Sequence, residues 1–128
     1  MDKLIEEIKV EDFGFFCANI QETDLAGHQE NALKYANVLE IVDKELNKLI
    51  KILDKNDIMI ITADHGNDPK IGHSHHTREM VPILIYKDGC HNGYIVERDT
   101  LADIGQTAAD FFNKKLPDNG KSFLELIV

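Results

Sequence analysis

Asp57-Ile58-Met59-Ile60-Ile61-Thr62 runs directly into Ala63-Asp64-His65-Gly66-Asn67-Asp68-Pro69, and Gly72-His73-Ser74-His75-His76-Thr77-Arg78-Glu79 follows close behind. A continuous apolar run ending in a carboxylate and an imidazole reads as a buried strand that delivers ligands to a sheet's carboxyl edge, where open α/β sheets bind them. Four of the six histidines fall between His65 and His76. Imidazole beside carboxylate is the ligand mix that suits Zn, Mn or Fe. The stretch reads as a metal site.

Upstream of this strand, Glu30 to Leu53 carries the longest helical pattern in the chain. Leu33, Ala36, Val38, Leu39, Ile41, Val42, Leu46, Leu49, Ile50 and Leu53 recur at three- and four-residue steps, which predicts a helix packed on the sheet. Asp54-Lys55-Asn56-Asp57 turns it into the strand. Earlier still, Phe13 to Ile20 is aromatic and continuous and reads as a second buried strand. It empties into a polar loop, Gln21-Glu22-Thr23-Asp24-Leu25-Ala26-Gly27-His28. Residues 2–9 place Leu4, Ile5 and Ile8 on one side of a short amphipathic helix.

Downstream, Val81-Pro82-Ile83-Leu84-Ile85-Tyr86 is a further strand, with Pro82 tolerable near its start. Lys87 to Gly93 is a turn-rich connection, and Tyr94-Ile95-Val96 a short extended piece. Asp99-Thr100 caps a helix over Leu101 to Phe112 whose inward side is Leu101, Ile104, Ala108, Phe111 and Phe112. Pro117 to Gly120 is a turn, and Ser122 to Ile127 an apolar tail. Alternation of strand and helix predicts an α/β fold, a layered, mostly parallel sheet flanked by helices, in one domain over residues 1–128.

The totals narrow the function classes. A net charge of −9 argues against nucleic acid and fits either an acidic soluble surface or carboxylates gathered around cations. No apolar run approaches the roughly 20 residues that span a bilayer, and the amphipathic, acidic start is unlike a leader peptide. Cys17 and Cys90 lie far apart with no CxxC pair, as reduced structural thiols do; the expected compartment is the cytoplasm.

Asp24 and His28 stand four apart, so a helical turn there would bring carboxylate and imidazole to one side. Asp64 and His65, as neighbours, cannot point the same way on a regular strand. Just past its end they can serve two adjacent ions, or one ion from irregular backbone. His75 and His76 are also adjacent, and a plain surface loop accounts for His73 and His75 as well as a ligand role does. Thr77, Arg78 and Glu79 offer a hydroxyl hydrogen bond and an ion pair to hold the loop's shape and orient imidazoles. Asp68 either orients a ligand from behind or starts the turn with Pro69.

Ala63-Asp64-His65-Gly66-Asn67-Asp68-Pro69, with His76-Thr77-Arg78-Glu79 and Val81-Pro82, resembles the carboxyl-terminal metal-binding part of phosphopentomutases. Asp103-Ile104-Gly105-Gln106-Thr107 and Asn119-Gly120-Lys121-Ser122-Phe123 resemble that family's closing segments. Phosphopentomutases belong to the alkaline-phosphatase-like superfamily, alongside cofactor-independent phosphoglycerate mutases. Asp24-Leu25-Ala26-Gly27-His28 is closer to the Asp-x-x-Gly-His pattern of the latter.

The resemblance implies a partial alkaline-phosphatase-like core, with Asp24, His28 and His76 on one metal ion and Asp64 and His65 on a second. It implies two Mn²⁺ ions, with Zn²⁺ or Fe²⁺ as alternatives, and an isomerase that moves phosphate between C1 and C5 of ribose or deoxyribose. Family proteins are longer: their amino-terminal part adds another Asp, a Thr or Ser nucleophile and a cap domain. Thr23, Thr62, Ser74 and Thr77 lie near the site, but none opens a helix after a strand-borne Asp. The expectation is therefore a metal-binding carboxyl-terminal segment with no catalytic nucleophile of its own and no turnover in isolation. It takes a sugar phosphate once completed, and forms a homodimer or joins a partner chain. The other readings are a non-catalytic metal-binding or assembly module, and part of a phosphatase of the same superfamily.

Overall fold

The computed structural model describes residues 1–10, 14–90 and 93–127. The expected start of the first strand at Phe13, and His91 and Asn92 of the turn-rich connection, lie outside the described residues. Four helices and two strands follow in the order α1 (Asp2–Val10), α2 (Gln21–Gly27), α3 (Ala32–Ile50), β1 (Met59–Thr62), β2 (Ile83–Tyr86) and α4 (Ala102–Phe111). A 3₁₀ turn at Leu124–Leu126 closes the tail.

The helices with clear periodicity form where the sequence places them. In α1, Leu4, Ile5 and Ile8 are the half-buried side, with Lys3, Glu6 and Glu7 exposed. The α3 helix starts at Asn31, whose side chain accepts from the Lys34 amide at 3.0 Å, a cap that satisfies one of the free amides of a helix start. Its chief packing partner is α2. Of its apolar stripe Leu49 is buried, whereas Leu33 is 74% exposed and Ile41 59%. The stripe expected to lie on a sheet is thus half uncovered.

The sheet departs from expectation. β1 and β2 are antiparallel, with Met59 opposite Tyr86 and Thr62 opposite Ile83, and they are the only strands among the described residues. A mostly parallel sheet needs a crossover element between consecutive strands. The segment from Ala63 to Pro82 contains no helix; it folds back as an irregular loop, closed where the Thr77 amide donates to Gly66 O at 2.9 Å. A returning loop makes an antiparallel pair. The expected strand over residues 14–20 is not a strand either: the segment is irregular and largely exposed, with no ladder partner among the described residues.

Two further segments change character. The polar stretch Gln21–Gly27, read as a loop, is α2. Tyr94 to Val96 is irregular. In α4 the fully buried residues are Asp103, Gln106 and Thr107, while Leu101 and Phe111 of the expected inward side are exposed. The polar face faces inward because it clasps the tail, where Phe123 is 1% exposed. Asp103 accepts from Arg98 Nε at 2.7 Å and from the Lys121 amide at 2.8 Å, and the Phe123 amide donates to Thr107 Oγ1 at 3.0 Å. Gly120, at φ +91°, sits where a Cβ would meet the Ala102 carbonyl at 2.7 Å, so the tail turns back on α4 only with glycine there.

Few apolar side chains among the described residues are buried: Ala26, Leu49, Phe123 and Ile127. The chain exposes 9557 Å², whereas a compact monomer of its mass exposes about 6,900 Å². No helix among the described residues is long and apolar enough to cross a membrane.

Candidate metal centre

Three segments meet beyond the end of β1. The first is α2, whose helical rise puts Asp24 and His28 on one side, with Asp24 Oδ2 3.2 Å from His28 Nε2. The second is the irregular backbone after β1, which carries Asp64 and His65. The third is the end of the returning loop, which carries His76.

Asp24, His65 and His76 form one group: each offers one ligand atom, and these atoms all lie within 4.8 Å of one another. Asp24 Oδ1 is 3.9 Å from His65 Nε2 and 3.5 Å from His76 Nε2. The His65 and His76 rings stack at 3.6 Å and 18°. His28 Nε2 lies 3.2 Å from His76 Nε2. Asp64 is at the margin, its carboxylate 90% exposed and 3.6 Å from His65 Nε2. The side chains that the resemblance divides between two ions lie in one cluster, His65 approaching Asp24 and His76 as well as Asp64.

Proton positions follow from the carbonyls behind the rings. His28 Nδ1 lies 2.6 Å from Ser74 O, and His65 Nδ1 lies 3.1 Å from Gly66 O. A carbonyl only accepts, so each Nδ1 carries the proton. In the neutral imidazole each Nε2 then presents a lone pair, and both lone pairs face the carboxylate of Asp24. Lone pairs directed at a carboxylate repel unless a proton or a metal ion lies among them. A hard carboxylate with neutral imidazoles, backed by carbonyls that fix the tautomer, is the donor set that Mn²⁺, Zn²⁺ and Fe²⁺ accept. The residues fit a metal ion.

The supporting residues sort themselves by what they touch. Thr77 Oγ1 accepts from the Asp68 amide at 3.0 Å and so ties the loop's two ends. Asp68 Oδ1 accepts from the Lys70 amide at 2.8 Å, which makes Asp68 the starter of the turn at Pro69. His73 and His75 are exposed and pair with each other, the His75 amide donating to His73 Nδ1 at 3.2 Å. Their intervening residue, Ser74, supplies the carbonyl that holds His28. Arg78 makes no ion pair with Glu79 among the described residues; Glu79 instead packs where a Cβ on Gly66 would stand.

Two residues went unassigned in the sequence reading. Asn67 donates to Asp24 Oδ1 at 2.9 Å and to Asp24 O at 3.2 Å, and Gly27 is buried against it. Both lie inside the quoted motifs, but an amide and a glycine carry no signal of a ligand on their own.

Asp24, His28, Asp64, His65 and His76 all fall within residues 1–116, the span matched by one family model; the segment Asn119–Phe123 lies beyond it. That model describes the Metalloenzyme superfamily, and the chain belongs to it.

Proposed function

We propose that this chain is the metal-binding carboxyl-terminal segment of a phosphopentomutase-like isomerase, which moves phosphate between C1 and C5 of ribose or deoxyribose. The observation that carries this reading is the convergence of Asp24, His28, His65 and His76. Asp24, His28, Asp64, His65 and His76 would hold two ions, and Mn²⁺ is the metal we propose. A bound ion supplies Lewis-acid stabilisation of negative charge on a phosphoryl oxygen. The residues themselves hold their lone pairs toward one point, the imidazoles fixed in tautomer by Ser74 O and Gly66 O.

None of the nearby hydroxyls, Thr23, Thr62, Ser74 and Thr77, opens a helix after a strand-borne Asp, and three of them are engaged within the protein. Thr23 Oγ1 donates to Ile20 O at 2.8 Å, Thr62 Oγ1 to Ala63 O at 3.4 Å, and Thr77 Oγ1 is engaged by the Asp68 amide. The 128-residue chain is therefore expected to bind metal without mutase turnover, and a sugar phosphate would be processed only with residues contributed from elsewhere. Free Cys17 and Cys90 suit the cytoplasm, where thiols stay reduced.

Titration of the metal-stripped chain with Mn²⁺ in a calorimeter, beside His65→Ala, tests the reading. Saturable binding that weakens more than about 100-fold in the variant is expected, since a lost ligand should exceed the loss from a supporting residue. No binding by the parent chain would sink the metal centre, and phosphomutase turnover by the pure chain would sink the assignment of a missing nucleophile.

The excess surface favours a second reading, an assembly module that keeps the metal for structure. Its roughly 2,700 Å² above a compact monomer is the scale of a large permanent interface. A homodimer or a bound partner chain is expected; light scattering that finds a clean monomer at high concentration, with nothing added, would count against it. Hydrolysis of a phosphate-ester panel by the completed protein would favour a phosphatase of the same superfamily instead.

A further inference from the structure

Asn67 joins two parts of the centre that are far apart in sequence. Its single amide nitrogen reaches both the side chain and the backbone of Asp24, at 2.9 Å and 3.2 Å. That pair of bonds fixes the carboxylate relative to the last turns of α2. The amide fits only because position 27 is glycine: an added Cβ would fall on the carbon, oxygen and nitrogen of the Asn67 amide. Gly27 is buried, and Asn67 is half-buried beside it.

The chemistry of the donor matters as much as its position. A carboxylate oxygen has more than one lone pair, so one N–H on Oδ1 orients the group while leaving acceptor capacity for a cation. A lysine or arginine in this place would orient Asp24 equally well, but its charge would repel the ion. Asparagine is neutral and has no competing charge. A donor that holds a ligand in its binding orientation without competing for it raises metal affinity.

We propose that Asn67 is a positioning residue for Asp24 as a metal ligand, and that Gly27 is the clearance that lets it act. This rests on the metal-centre reading above. It assigns to the Asn67–Gly27 pair a role in how tightly the ion is held, separate from the ligands themselves.

The test uses the full 128-residue chain, stripped of metal and titrated with Mn²⁺, in five forms: parent, Asn67→Ala, Asn67→Leu, Gly27→Ala and Gly27→Ala with Asn67→Ala. Leucine keeps the bulk of asparagine without its donor, so it reports on the hydrogen bonds even where alanine disturbs the fold. Both Asn67 variants should weaken Mn²⁺ binding about 10- to 100-fold, and shift the visible absorption of the Co²⁺-loaded chain. The thermal midpoint of the metal-free chain should move little in Asn67→Leu. Gly27→Ala should weaken binding as much as Asn67→Ala does. In the Asn67→Ala background it should add no further loss, because the clash it creates is gone.

Unchanged affinity and an unchanged Co²⁺ spectrum in both Asn67 variants would overturn the assignment while leaving the metal centre standing, provided the parent binds and His65→Ala does not. Additive losses in the double variant would overturn the clearance role of Gly27. A parent chain that binds neither ion would overturn the metal-centre reading itself, and this inference with it.

Discussion

Two aspartates in this molecule, each met by groups from distant parts of the chain, end in opposite states. Asp103, in α4, is 2% exposed and receives hydrogens from the protein on both oxygens, Arg98 Nε on one and the Lys121 amide on the other. Asp24, in α2, is half-buried and accepts from the Asn67 amide; the other groups that face it are the Nε2 atoms of His28, His65 and His76. The first carboxylate is complete within the protein and serves to fasten the tail. The second turns its carboxylate to three imidazoles, where we propose that a cation binds. Whether a buried or half-buried carboxylate is structural or functional is decided by where its hydrogens come from.

The comparison breaks most sharply at Asp103. Asp103→Ala leaves the Arg98 guanidinium, itself 17% exposed, without its ion-pair partner, and removing one side of a buried pair costs about 3–5 kcal/mol. Urea unfolding of the metal-free chain should show a loss of this size, whereas Asp24→Ala should change metal-free stability far less. Equal losses at the two sites would erase the distinction.

A somewhat smaller effect is expected from the metal. Mn²⁺ at 100 times its dissociation constant should raise unfolding stability by about 2.7 kcal/mol. The rise should vanish in His65→Ala and persist in a variant of the tail such as Ser122→Ala, which removes the hydroxyl bond to Asp110 Oδ2 and the acceptor of the Leu124 amide. Thermal melts with and without the ion would decide it.

The smallest effect is the acid limb of stability. Burial pushes the Asp103 carboxyl up, but the Lys121 amide and the Arg98 guanidinium together outweigh it and hold the group below its ordinary value of 3.8. A carboxyl with a depressed folded value binds protons more readily when unfolded. Its contribution is therefore fully present above pH 3.8 and is lost as pH falls through the lower folded value. Urea midpoints measured from pH 6 downward should fall in the parent chain, and fall less steeply in Asp103→Asn, which has no charge to lose. Parallel curves would mean that other carboxylates carry the acid response.

Much of the chain was legible before any coordinates. α1, α3 and α4 announce themselves through apolar residues at helical steps, and β1 and β2 through short apolar runs with punctuated ends. Asp24, His28, Asp64, His65 and His76 stood out because carboxylates and imidazoles in motif company are rare enough to notice. The burial of α4 was misread because Asp103, Gln106 and Thr107 are polar, and polarity by itself argues for solvent; Arg98 and the amides and carbonyls of the tail make that burial favourable. Residues 14–20 were misread for the converse reason. An apolar run can form a strand only when another strand offers its hydrogen bonds, and none of the described residues does.

The division follows from range. Residue spacing by itself determined the helices α1, α3 and α4, the runs that form β1 and β2, and which side chains carry ligand chemistry, because each of these depends on neighbours a few positions away. Tertiary structure alone decided that β2 returns antiparallel to β1, that the polar stretch before His28 winds into α2, and that Asp24 meets His65 and His76. It also decided which nitrogen of His28 and His65 bears the proton, through the carbonyls of Ser74 and Gly66. Those outcomes depend on pairings between residues distant in the chain, and local periodicity carries no information about which distant group will supply a hydrogen or withhold one.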